Sequence, residues 1–398
     1  MRVVFYRIYQ WILKIASALL YWPKPELIEG ENSVMKIPAV LTGKNVKSVL
    51  LVTDKTIAGL GMVEPLLKAL KDAGISCAVF DETVPNPTID NIESALKVYH
   101  ASKAQALIAF GGGSVMDCAK GVGARVVNPR KTIPQMRGIL KVGKRIPLMI
   151  AIPTTAGTGS ETTVAAVISN PTTHEKYAVN DQKLTPHYAV LDPLLTVKLP
   201  PHITSTTGLD ALTHAVEAYI GRSNTAETRR CAREAVTLIF DNLYTAYSNG
   251  NDIQARSNML KASYLAGIAF TRAYVGYVHA LAHTLGGYYR VPHGLANAVI
   301  LPVVLDYFGH SVDKPLSELA DLIGITEAGD SQSAKAQKFI LKIRELEESM
   351  GIPKKIDGIQ ESDLPGMIRN ALKESNPLYP VPKILFGDDF RAMYDRIR

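Results

Sequence analysis

The chain has 398 residues, 47% of them hydrophobic, which is enough for two domains of ordinary size with their own cores and excludes a disordered protein. Its three cysteines, Cys77, Cys118 and Cys231, lie far apart and form no CxxC pair, which argues against a disulfide framework or a thiolate metal site and fits a reducing, cytoplasmic setting. The net charge of +7 is scattered among 37 acids with no basic run, so nucleic acid is not an expected partner, although anionic cofactors are attracted.

The first element is "MRVVFYRIYQWILKIASALLYW". Arg7 and Lys14 interrupt it, no uncharged run reaches the roughly 18 residues a transmembrane segment requires, and no small-residue cleavage site follows an apolar core. Val4, Phe5, Ile8, Trp11, Ile12, Ile15, Ala16 and Leu19 recur at helical spacing, so an amphipathic helix is expected, docked on its own protein. A membrane surface or another subunit is the alternative. Next come four continuous apolar runs, "SVLLVT" (48–53), "SCAVF" (76–80), "ALIAF" (106–110) and "LMIAI" (148–152), the pattern of strands buried on both faces. Helical stripes lie between them: Met62, Val63, Leu66, Leu67 and Leu70, then Ile92, Ala95, Leu96 and Tyr99. Strand and helix alternating in this way predict a parallel sheet wrapped on both sides, to which "TTVAAVIS" and "EKYAV" add a hairpin through the turn "NPTTH". Pro200 and Pro201 break the pattern, and beyond them the periodicity is helical. The expected fold is therefore two-domain: an α/β dinucleotide-binding domain with a parallel sheet over 1–200, carrying the N-terminal helix, and an all-helical metal-binding domain over 201–398.

Chemistry concentrates in two places. In "TGLDALTHAVEAY", Asp210 and His214 stand at i and i+4 on one helix face. In "YVHALAHTLGGYYRVPHGLANA", His279 and His283 repeat that spacing, Gly286 and Gly287 are expected to end the helix, and His293 follows Pro292. Asp210, His214, His279 and His293 offer one carboxylate and three imidazoles, a set suited to divalent iron or zinc and poor for calcium or magnesium. With the ion the set carries a net charge of about +1, which favours holding an alcohol oxygen and lowering its pKa. In the first domain "ALIAFGGGSVMDCAK" is a buried strand, three glycines and a helix start, where the amides of Gly112, Gly113 and Ser114 can cradle a pyrophosphate. Asp54 closes the strand "SVLLVTD", where a carboxylate accepts from a ribose diol and repels a 2'-phosphate, favouring NAD over NADP. "IPTTAGTGSETT" brings hydroxyls at Thr154, Thr155, Thr158 and Thr163.

The segments "GGGSVMDCAK", "PTTAGTGSE", "TGLDALTHAVEAY" and "GYVHALAHTLGGYYRVPHGLANA", in this order over residues 111–298, resemble the iron-containing (group III) alcohol dehydrogenases. The resemblance implies a metal-dependent NAD(H) oxidoreductase that interconverts a primary alcohol and its aldehyde by hydride transfer at an interdomain cleft. It implies Asp210, His214, His279 and His293 as ligands of Fe2+ or Zn2+, and His283 as the imidazole beside the nicotinamide that relays the released proton. Asn86, Asp117, Lys176 and Leu195 join the expected cofactor contacts, and a homodimer or higher homo-oligomer is expected. The sequence departs from the pattern in "AGIAFTRAYVGYVH", where Arg272 and Tyr274 precede His279. If that stretch is one helix, Arg272 lies two turns before His279 on its face and can bind a carboxylate, which makes a short hydroxy acid such as 4-hydroxybutyrate the rival substrate. A dehydroquinate-synthase-like lyase and a metal- and nucleotide-binding sensor are the rival functions; the first needs clustered basic residues that the chain lacks.

Overall fold

The computed structural model describes residues 1–170 and 175–398. The turn expected at "NPTTH" falls largely outside the described residues. The first helix, α1 (Arg2–Leu19), bonds to the C-terminal segment of the chain: Arg7 donates to the carbonyls of Val381 and Pro382, both at 2.7 Å, and Gln10 Nε2 to those of Tyr379 at 2.7 Å and Pro377 at 3.1 Å. The chain accordingly forms two compact units, one of Trp22–Lys198 and one of Met1–Tyr21 with Leu199–Arg398. This corrects the expected grouping of the amphipathic helix with the α/β domain. It also corrects the sense of docking, because the helix turns its polar residues, not its apolar stripe, to the protein.

In the α/β unit a six-stranded parallel sheet is built from β1 (Glu26–Glu29), β2 (Ser48–Val52), β3 (Ser76–Phe80), β4 (Ala106–Gly111), β6 (Leu148–Pro153) and β9 (Tyr188–Leu191). Their spatial order is β1-β9-β6-β4-β2-β3. Between strands run α2 (Ile37–Gly43), α3 (Lys55–Gly59), α4 (Glu64–Asp72), α5 (Ile89–Ala101) and α6 (Gly113–Val127). The central strands are buried throughout, as their unbroken apolar runs require: Leu50, Leu107 and Ala151 pack to one side, Leu51, Ile108 and Ile150 to the other. Strand β3 differs from expectation in being half exposed, since it pairs only with β2 and forms the sheet edge. The expected hairpin, β7 (Ala165–Asn170) and β8 (Glu175–Asn180), does not join this sheet; with β5 (Gly138–Ile139) it makes a separate three-stranded one.

The other unit is helical: α7 (Pro201–Ile220), α8 (Ala226–Ser248), α9 (Ile253–Ala273), α10 (Tyr277–Tyr289), α11 (His293–Phe308), α12 (Asp313–Leu322), α13 (Gln332–Ser349), α14 (Leu364–Ser375) and α15 (Gly387–Ile397), with α1. Among the described residues one stretch, His293–Leu322, is apolar and long enough to cross a bilayer, but most of it is buried inside this unit and it carries His293, so it is a core element. The condition set on "AGIAFTRAYVGYVH", that it be one helix, is not met. Tyr274 takes φ 66°, which ends α9, and α10 starts at Tyr277. In the opposite direction, Gly286 and Gly287 do not stop α10, which runs to Tyr289 and closes on Arg290 at φ 55°.

Candidate metal centre and cofactor loops

Helix α7 is buried along most of its length, and on one face it carries Asp210, His214 and Glu217. Glu217 accepts the backbone N–H groups of Gly276 and Val278, both at 2.8 Å, and meets His279 Nδ1 at 2.6 Å. It thus caps the start of α10 from a different helix. A Cβ on Gly276 would lie 2.6 Å from Glu217 Oε1, so only glycine admits the carboxylate there. Burial raises the Glu217 pKa to about 8, and the three donors pull it the other way. The contact turns the Nε2 edge of His279 inward, and with Glu217 ionised it holds the ring proton on Nδ1. Burial, with His214 and His293 nearby, holds His279 well below the usual imidazole value and therefore neutral.

Nε2 of His279 and of His293 and a carboxylate oxygen of Asp210 converge, all ligand atoms lying within 4.8 Å of one another. Asn297, one turn after His293 on α11, puts its Nδ2 at the meeting point. It donates to Asp210 Oδ1 at 2.7 Å and lies 3.1 Å from His293 Nε2 and 3.3 Å from His279 Nε2. An amide NH2 has two protons for these three acceptors, whereas a divalent cation serves all of them, so the donor set fits a metal better than it fits the amide. His214 sits beside this group, its ring stacked on His279 at 4.6 Å and on Phe270 at 4.1 Å. His283 stacks on His293, ring centres 5.2 Å apart, and its Nδ1 meets Glu374 Oε1 at 2.7 Å. The same oxygen accepts the Tyr379 hydroxyl at 2.7 Å. Burial and the adjacent Glu374 hold the Tyr379 pKa well above its usual value, so the phenol remains a donor.

Arg272 is not part of this centre. The break after Ala273 removes the helical register that would have aligned it with His279, and its guanidinium lies 4.0 Å from Glu227 on α8.

In the α/β unit the expected cofactor residues form two groups. At the turn from β4 into α6, a Cβ on Gly112 would lie 3.6 Å from Thr155 Oγ1 and one on Gly113 would lie 2.9 Å from Thr158 Cγ2, so the two loops touch through the absence of glycine side chains. Beside them Ser114 Oγ accepts the Asn86 N–H at 3.1 Å, and Asn86 Oδ1 accepts from Lys176 at 2.8 Å. Thr154 is buried, and its N–H bonds to the Gly111 carbonyl. The other residues also make contacts within the protein. Asp117 accepts Ser160 Oγ at 2.9 Å and the Val167 N–H at 3.0 Å, and Thr163 Oγ1 accepts from Lys120 at 2.7 Å. Asp54 caps α3 by accepting the Ile57 N–H at 2.9 Å, and Leu195 packs on the sheet core. Lys120, fully buried, ties the loop down through Ser160, Thr163 and the Ala165 carbonyl. Burial lowers its pKa to about 8, partly offset by Asp117 and Glu161.

The sequence pattern of iron-containing alcohol dehydrogenases matches residues 24–193, and that of the Fe-containing alcohol dehydrogenase family, C-terminal, matches residues 204–397. The chain belongs to the iron-containing alcohol dehydrogenases. It is 40% identical over 334 residues to the 1,3-propanediol dehydrogenase of Klebsiella pneumoniae, covering 83% of this chain and 86% of that protein. It is 35% identical over 359 residues to the NAD-dependent methanol dehydrogenase of Bacillus methanolicus, covering 89% and 94%. The crystal structure of a 1,3-propanediol oxidoreductase superposes with a TM-score of 0.92 at 36% identity, covering 96% of this chain and all of that one. The chain is thus an alcohol oxidoreductase of this two-domain fold.

Within the family frame, five residues escaped the sequence reading. Glu217 and Asn297 carried a signal, being seven residues after Asp210 and four after His293 on the same helices. Glu374, Tyr379 and Lys120 carried none, since nothing local marks which distant side chain they meet.

Proposed function

We propose that Asp210, His214, His279 and His293 hold a divalent iron or zinc ion, that the β4–α6 turn with Thr155, Thr158, Asn86, Ser114 and Lys176 holds NAD, and that the enzyme interconverts a primary alcohol and its aldehyde. The observation that carries the reading is the convergence of three acceptors on Asn297 Nδ2. When bound, the metal lowers the pKa of a substrate hydroxyl and polarises a carbonyl, and NAD takes or gives the hydride.

The chain's own residues supply the rest. Glu217 keeps His279 in the tautomer that a ligand needs. His283, its Nδ1 proton directed to Glu374, keeps Nε2 as the acceptor for the proton released in oxidation and as its donor in reduction. Tyr379 holds Glu374 from the far side, so that His283 keeps its place. Gly112 and Gly113 leave backbone amides at the N-terminus of α6 open to a pyrophosphate. The carboxylate-substrate alternative rested on Arg272, whose guanidinium lies 4.0 Å from Glu227.

The test is a panel of alcohols and aldehydes with NAD(H) and NADP(H), on protein reloaded anaerobically with iron or zinc singly. Steady NADH formation with a primary alcohol, dependent on the metal, is expected. Failure of every alcohol and aldehyde with both metals would overturn it.

A further inference from the structure

We propose that α1 is a membrane-surface helix, which lays its outward apolar face on an anionic lipid bilayer. At 3.6 residues per turn Val4, Phe5, Ile8, Trp11, Ile12 and Ile15 fall within about 120° of arc. All six are exposed, Trp11 at 63%, and Leu19 extends the stripe at 84%. On the opposite side Gln10 is the one buried residue of the helix, flanked by Arg7 bonded to Val381 and Pro382 and by Lys14, whose Nζ donates to the Arg222 carbonyl at 2.8 Å. A helix on a soluble domain ordinarily turns its apolar stripe inward. Here the polar side is fastened to the protein and the apolar side is presented, which is the arrangement a surface-seeking helix needs.

Size, charge and composition choose the occupant. An 18-residue helix is roughly 27 Å long and 10 Å wide, so one face offers about 300 Å2, well short of the roughly 800 Å2 per partner of a specific protein interface. Residues 1–25 contain Arg2, Arg7, Lys14 and Lys24 and not one Asp or Glu. Two copies of this segment would bring cation against cation, whereas anionic headgroups bring opposite charge. Both tryptophans of the chain, Trp11 and Trp22, lie here with Tyr9 and Tyr21, the side chains that settle at the boundary between headgroups and acyl chains. The inference concerns residues 1–25 and stands apart from the alcohol reading.

The full-length protein is sedimented with vesicles of phosphatidylcholine alone and of phosphatidylcholine mixed equally with phosphatidylglycerol. Binding to the mixed vesicles, weakened by salt, is expected, and a Trp22→Phe variant should show the Trp11 emission shift to shorter wavelength on binding. Ile8→Glu and Trp11→Glu should each lower the partition about tenfold or more, with turnover of a water-soluble alcohol and the mass by light scattering unchanged. No binding by the parent protein, or equal binding by the variants, overturns the proposal. A fall in mass on Trp11→Glu without vesicle binding also overturns it, and assigns the face to a second copy.

Discussion

Glu217 is one carboxylate with three dependants, two backbone N–H groups and the Nδ1 of His279. Glu217→Gln keeps its size but sets an NH2 against N–H groups that have no other acceptor. Metal affinity is expected to fall about tenfold to a hundredfold, with a loss of about 1–3 kcal/mol in stability, read as metal content after dialysis against a chelator and as a thermal shift. Full metal content in that variant would leave Glu217 a cap and nothing more. His283→Ala should behave in the opposite way, keeping its metal while turnover slows by roughly 10²–10⁴-fold. A His283→Ala protein that lost metal along with activity would make the imidazole a ligand. The site candidates were legible because a helix repeats its face every three to four residues, so the ligand candidates Asp210 and His214, and the pair of His279 with the relay candidate His283, announce themselves. Glu374 was not legible, because its tie to His283 spans 91 residues.

At the scale of elements, β2, β4 and β6 could be read because a buried strand must be apolar on both faces, and β3 shares their apolar run although its edge position leaves it half exposed; β1 and β9, four residues each, are too short to stand out. The break between α9 and α10 was hidden for another reason: nothing local marks Tyr274 as the residue that takes φ 66° and ends α9, and the new start at Gly276 and Val278 is capped by the distant Glu217. Strands β6 and β9 offer a test of their junction. His187, just before β9, accepts the Met149 N–H on Nδ1 at 3.1 Å and donates its own N–H to the Met149 carbonyl. Burial, with Arg145 and Lys44 nearby, lowers its pKa to about 4 from 6.5. Between those values the unfolded chain binds a proton that the folded one does not, so this contribution is whole above pH 6.5 and is lost as the pH falls toward 4. His187→Asn should therefore flatten the decline in melting temperature between neutral pH and pH 5. An unchanged slope would place the acid sensitivity elsewhere.

For the whole molecule, the change near residue 200 from alternating strands to helical periodicity marked where Leu199 begins the helical unit, but no local signal said that residues 1–21 return to it, since that grouping rests on bonds to residues 377–382. The metal candidates all belong to the helical unit and the glycine turn to the other. Chelation should accordingly speed hydrogen exchange in α7, α10 and α11 while the amides of β2, β4 and β6 keep their protection. A uniform rise across both units would mean that the metal stabilises the chain as one body. Arg7 and the carbonyl it grips on Val381 are 374 residues apart, and at about 5–20 residues per second of synthesis roughly 20–75 s separate the making of the two. Helix α1 is therefore made well before the segment that seats it. Throughout that interval the carbonyls of Pro377 and Tyr379 that seat Gln10 are not yet made, while the apolar face of the segment already has surface to bury.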